Sequence, residues 1–188
     1  MNYQFGEHLI NAIIPLYEWT IKQLDYRFDV VTLNIIKQHG EQFLLLETTL
    51  SQPFVNGSEM ITPTYPIPSG VSMPLGNVLL PVVLIFTTVL AWPNSLKIHR
   101  AHEYLTRLII SIPLCLFIML LDMPTQLLKM VWESLNKLLK LNISANYTEF
   151  SYWSDFLNGG GLIALSFAAG ILAVGITNYL TEPKATAL

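Results

Sequence analysis

The side chains best suited to chemistry lie in three places along the chain. His99, His102 and Glu103, in Lys97-Ile-His-Arg-Ala-His-Glu103, put two imidazoles and a carboxylate close together. The spacing is not that of the helix-borne zinc signature, and Arg100 between the histidines opposes a cation. That stretch reads as a solvated basic loop. Asp29, His39, Glu41 and Glu47 fall on two β-forming segments and the turn between them. Nothing in their spacing pairs them for acid–base work, and carboxylates on a polar strand face serve solubility. Cys115, the single cysteine, sits within Ile112-Pro-Leu-Cys-Leu-Phe-Ile-Met119, where a low dielectric opposes thiolate formation. His8, His39, His99 and His102 are scattered, and no nucleophile and base assemble around any of them. We therefore expect no enzyme activity, no metal and no cofactor.

Two further features carry a functional and a structural reading. Glu18 lies in an apolar segment, residues 9–24, four positions before Lys22, so the two can pair on one helical face. If the segment spans a bilayer, Glu18 is an intramembrane charge and a proton-path candidate. If it lies in the interface, Glu18 sits among headgroups. Asn158-Gly-Gly-Gly161 could receive an anion on backbone amides at a helix N-terminus. It leads, however, into a helix with Ser166/Gly170 and Ala169/Ala173 at small-xxx-small spacing. Gly159, Gly160, Gly161, Ser166, Ala169, Gly170 and Ala173 are accordingly read as helix-packing residues.

The elements that must position these residues follow from hydropathy. Hydrophobic residues make up 52% of the chain and charged residues 12%, against about 25% charged in soluble domains. Uninterrupted apolar runs at 75–92, 105–123 and 162–180 are each close to the ~20 residues that span a bilayer. The N-terminus lacks the basic region of a cleaved signal peptide, so its apolar segment is expected to be retained as a helix. Residues 26–36 and 41–50 are rich in β-formers and joined through Gly40, which predicts an antiparallel hairpin. Residues 51–73, with Pro53, Pro63, Pro66 and Pro68, predict only an irregular cover. Residues 125–143 carry Leu127, Leu128, Val131, Leu135, Leu138 and Leu139 on one stripe, an amphipathic helix placed flat on the membrane or against the hairpin.

The expected fold is thus mainly α and integral to the membrane, with three to four transmembrane helices, a periplasmic β-hairpin and an amphipathic interfacial helix. Its segments are 1–24 (transmembrane or interfacial helix), 25–73 (hairpin and cover), 74–124 (transmembrane helical hairpin), 125–155 (amphipathic) and 156–188 (last transmembrane helix and tail). Lys97, Arg100 and Arg107 make the 94–107 link the denser basic segment, which the positive-inside rule assigns to the cytoplasm. Residues before 75 and residues between the second and third runs then share a compartment, so hairpin and amphipathic helix can touch. Ten scattered basic residues and a net charge of -3 exclude the electrostatic footprint of a nucleic-acid binder.

Two stretches resemble small membrane proteins that accompany bacterial exosortases, particularly the exosortase H-associated type. They are Leu24-Asp-Tyr-Arg-Phe-Asp-Val-Val31 and Phe156-Leu-Asn-Gly-Gly-Gly-Leu-Ile-Ala-Leu165. The resemblance implies an accessory protein of an envelope sorting system in the inner membrane, not the transpeptidase, which uses a cysteine, an arginine and a histidine. The residues themselves lead us to expect a noncatalytic accessory or scaffold subunit whose partners are the bilayer and other membrane subunits, with no nucleic acid. The alternatives are a proton-path or transport component using Glu18, or a cofactor-free subunit of a membrane oxidoreductase.

Overall fold

A computed structural model describes residues 4–56, 59–62, 70–93, 100–139 and 148–181. The chain is mainly helical, with a small antiparallel sheet and two helices long and apolar enough to cross a membrane. It divides into a sheet-bearing unit, Met1–Leu79 with Leu120–Asn158, and a helical unit, Leu80–Met119 with Gly159–Leu188.

In the sheet-bearing unit, helix α1 (Gln4–Leu24) buries Ile10, Ile13, Tyr17 and Ile21. Their recurrence every three or four residues is the single stripe of a helix laid on a core. Helix α1, read from its sequence as transmembrane or interfacial, is not among the helices apolar enough to span. Strands β1 (Phe28–Gln38) and β2 (Glu41–Leu50) form the predicted hairpin. His39 and Gly40 both have positive φ, 51° and 85°, the backbone that a two-residue turn between right-twisted strands requires.

The cover after β2 is more ordered than its prolines suggest. Strands β3 (Phe54–Asn56) and β4 (Glu59–Ile61) pair as a second hairpin, and β5 (Val71–Pro74) joins β2 as a third strand in the order β1-β2-β5. Pro63, Pro66 and Pro68 lie outside the described residues. Pro74 is tolerated because it ends an edge strand. Gly70 enters β5 at φ 56°, where an added Cβ would lie 2.6 Å from Leu45 Cδ1. The inner face is set by register: Leu46 lies between Leu33 and Val71, and Leu44 between Ile35 and Met73.

Helix α2 (Leu75–Ala91) is apolar but only 17 residues long, about 26 Å at 1.5 Å per residue and short of the ~30 Å hydrocarbon core. Helix α3 (Arg100–Leu139) is continuous over 40 residues, correcting the expected separation of a 105–123 span from an amphipathic segment at 125–143. Pro124 falls inside the helix. A proline removes one N–H and frees the carbonyl four residues back, here that of Leu120, and side chains bond the two carbonyls that follow it. Thr125 Oγ1 donates to Leu121 O and Asp122 O at 2.9 and 2.8 Å, and Trp153 Nε1 reaches Leu121 O at 3.4 Å. Residues 140–147 lie outside the described residues. Helix α4 (Thr148–Phe156) and α5 (Leu162–Thr181) follow, joined by a wide turn at Leu157–Gly161.

The amphipathic half of α3 packs against the hairpin, one of the two placements its stripe allows. Leu127, Leu128, Val131, Trp132 and Leu135 are buried, and the Trp132 ring meets Phe28 edge-on at 5.1 Å. The link is polar as well. Asp25, just after α1, is 2% exposed. Its Oδ1 accepts from Arg27 N at 3.1 Å and Nε at 2.7 Å, and its Oδ2 accepts from Arg27 Nη2 at 2.8 Å and Trp132 Nε1 at 3.0 Å. Arg27 also lies over the Trp132 ring, 4.6 Å from its centroid. The hairpin therefore rests on its own chain.

Asp25→Ala strands the Arg27 guanidinium and the buried Trp132 N–H, and should cost about 3 kcal/mol. Trp132→Phe removes one donor and part of the ring contact, and should cost about 1–2 kcal/mol by the hydrogen-bond loss. Denaturant unfolding in detergent, followed by circular dichroism, should reproduce that order.

Candidate functional site

The helical unit contains a charged centre. Arg107 and Glu103, one turn apart on α3, are both enclosed, with side chains 0% exposed, and form an ion pair at 2.5 Å. The same guanidinium donates through Nη1 to Trp92 O at 2.9 Å and through Nη2 to Pro93 O at 3.2 Å. These carbonyls lie just past the end of α2, where a helix leaves acceptors without intrahelical partners and where a cation is favoured. Arg107 is thus a side-chain cap that ties the end of α2 to α3.

This corrects the reading of Glu103 as part of a solvated basic loop: it is enclosed and neutralises Arg107, a residue of the basic 94–107 link. Lys97 and His99 lie outside the described residues, while His102 is exposed. The i, i+4 spacing of Glu103 and Arg107 is the signal that could have revealed the pair. Its burial is not legible without knowing where α2 ends.

Other charged groups are dispersed. Asp122 is buried and bonded to the Gln126 amide. Lys129 bridges to Asp155 at 2.6 Å and Glu133 at 3.8 Å. Glu18 is half-buried on α1. Lys22, its expected partner, lies 3.9 Å from Asp29 instead.

The four polar hairpin residues do not converge. His39 and Glu41 lie at the turn, Glu47 accepts from Thr32 at 2.9 Å, and Asp29 stands toward the opposite end of the strand pair. No group of three metal-ligating side chains occurs among the described residues. Cys115 is buried, its Sγ 4.0 Å from Met119 Sδ.

The small residues of α5 separate into roles. Ser166, Ala169, Gly170 and Ala173 are buried on one stripe with Thr177. At Gly170 a Cβ would meet Thr88 Cβ at 2.7 Å, Thr88 Cγ2 at 2.8 Å and Ile85 O at 3.4 Å, so α2 and α5 cross there at backbone distance. Gly161 is buried at the start of α5. Among the described residues, an added Cβ at Gly159 or Gly160 would meet nothing within 4 Å, so neither packs against a neighbour there. Gly160 is required by conformation instead, with φ 109°, a region that disfavours L side chains.

A second small-residue row was not anticipated. Ala164, Ala168 and Gly175 are exposed, and at 3.6 residues per turn they lie opposite the Ser166–Ala173 stripe. Gly175, like Gly159, has no neighbour within 4 Å of a built Cβ.

With this geometry in hand, comparison with protein families, curated proteins and solved structures finds no match for the chain. The function must be argued from its own residues.

Glu103→Leu leaves Arg107 buried and unneutralised and should cost about 3–5 kcal/mol, whereas Glu103→Leu with Arg107→Leu should cost well below the sum of the two single changes. A double-mutant cycle on thermal unfolding in detergent measures that coupling. Gly170→Ala should destabilise by about 1–3 kcal/mol through overpacking against Thr88. Gly175→Ala should be neutral or stabilising by up to about 1 kcal/mol, since it meets no atom and improves helix propensity.

Proposed function

We propose that this protein is a noncatalytic accessory subunit of a membrane complex, anchored by its helical unit and joined to a partner through the outer face of α5. Membrane insertion is supported by what its long helices leave uncovered. Within the most apolar stretch of each candidate span, only 28% is buried. A soluble core helix would be mostly enclosed. Leu105 is 58% exposed, Phe117 61% and Tyr179 81%, surface that water disfavours and lipid accepts.

The observation that carries the partner contact is Gly175 in its row with Ala164 and Ala168. Glycine inside a helix costs about 0.8–1.0 kcal/mol relative to alanine, and no close approach among the described residues requires it. A second helix packed closely on that face gives the glycine a reason, since small residues are what permit backbone contact in lipid.

The polar centres fit a supporting role. Asp25, Arg107 and Glu103 are buried and bonded to their own chain, an arrangement that braces helices and strands. The sorting-system context rests on the resemblance of 24–31 and 156–165. The first of these forms the Asp25 corner, and the second forms the wide turn and the start of α5. A cytoplasmic start of α3, favoured by Lys97 and Arg100, would put the β1–β2 hairpin, which meets Trp132 near the far end of that candidate span, in the periplasm of an inner-membrane, multi-pass protein.

Two experiments test this reading. Mild-detergent purification from native membranes should recover a membrane partner. Gly175→Leu should lower that recovery about tenfold, equivalent to about 1.4 kcal/mol of association, with the chain's own unfolding unchanged. A strictly monomeric wild-type protein, or full recovery with the leucine variant, overturns it. For orientation, His39→Cys should react with an impermeant thiol reagent from the periplasmic side, against the low background of buried Cys115. Labelling only after the inner membrane is opened reverses the topology.

A further inference from the structure

We draw no further inference here: the strongest candidate, the outward apolar face of α1 formed by Leu16, Trp19 and Leu24 and continued by Tyr26, carries nothing beyond the reading above because nothing in the structure shows what covers it.

Discussion

The carboxylate of Asp25 accepts four hydrogen bonds, two on each oxygen, from Arg27 and Trp132. A buried carboxylate has about four acceptor sites, so this one is fully satisfied while 2% exposed. The energetic consequence lies in the asymmetry of burial. A paired group contributes modestly, whereas any partner left alone bears a desolvation cost of several kcal/mol. The end of α1, the start of β1 and the middle of α3, 107 residues away, are therefore acceptable only in one mutual arrangement. An isolated hairpin is marginal in water. Here the corner and the apolar rows beneath it hold the hairpin, with Phe28 and Trp132 sealing the carboxylate from solvent.

The same requirement accounts for the Arg107 centre. A guanidinium cannot give up its proton inside a protein, so burial is possible only if anions and carbonyls surround it. Glu103 supplies the countercharge, and Trp92 and Pro93 supply carbonyls that the end of α2 leaves unmet. Two deficits, a desolvated cation and an uncapped helix end, offset one another. Arginine suits this place better than lysine because its planar fork reaches several acceptors in different directions.

How much could be read from the sequence depends on whether the deciding interaction is local. The β1–β2 hairpin was legible because alternating β-formers and the His39-Gly40 turn are short-range signals, and the α3 stripe was legible from its period. The continuity of α3 was not. Pro124 weakens a helix locally, and only Thr125 and the distant Trp153 show how nearby carbonyls are gathered. Strand β5 was missed for the converse reason: four residues with a terminal proline make a strand only because β2 offers an open edge. Glu103 looked solvated because the carbonyl partners of Arg107, its ion-pair partner, are recognisable only once α2 has an end. Glu18 kept two readings, intramembrane or interfacial, because the apolar stripe of α1 suits a protein core as well as lipid.

Glycine shows the limit most clearly, since the residue type records a need without naming its cause. In this chain Gly170 answers to the Thr88 side chain and Gly160 to a positive φ, while Gly175 answers to neither. The sequence places Gly170 and Gly175 five residues apart in one apolar helix, and only the neighbours of α5 separate them. A helix in lipid gains no hydrophobic free energy by meeting another helix, so association depends on packing that small residues make possible. Helix α5 carries small residues on two faces: one is filled by α2 at Thr88, and on the other Ala164, Ala168 and Gly175 are exposed.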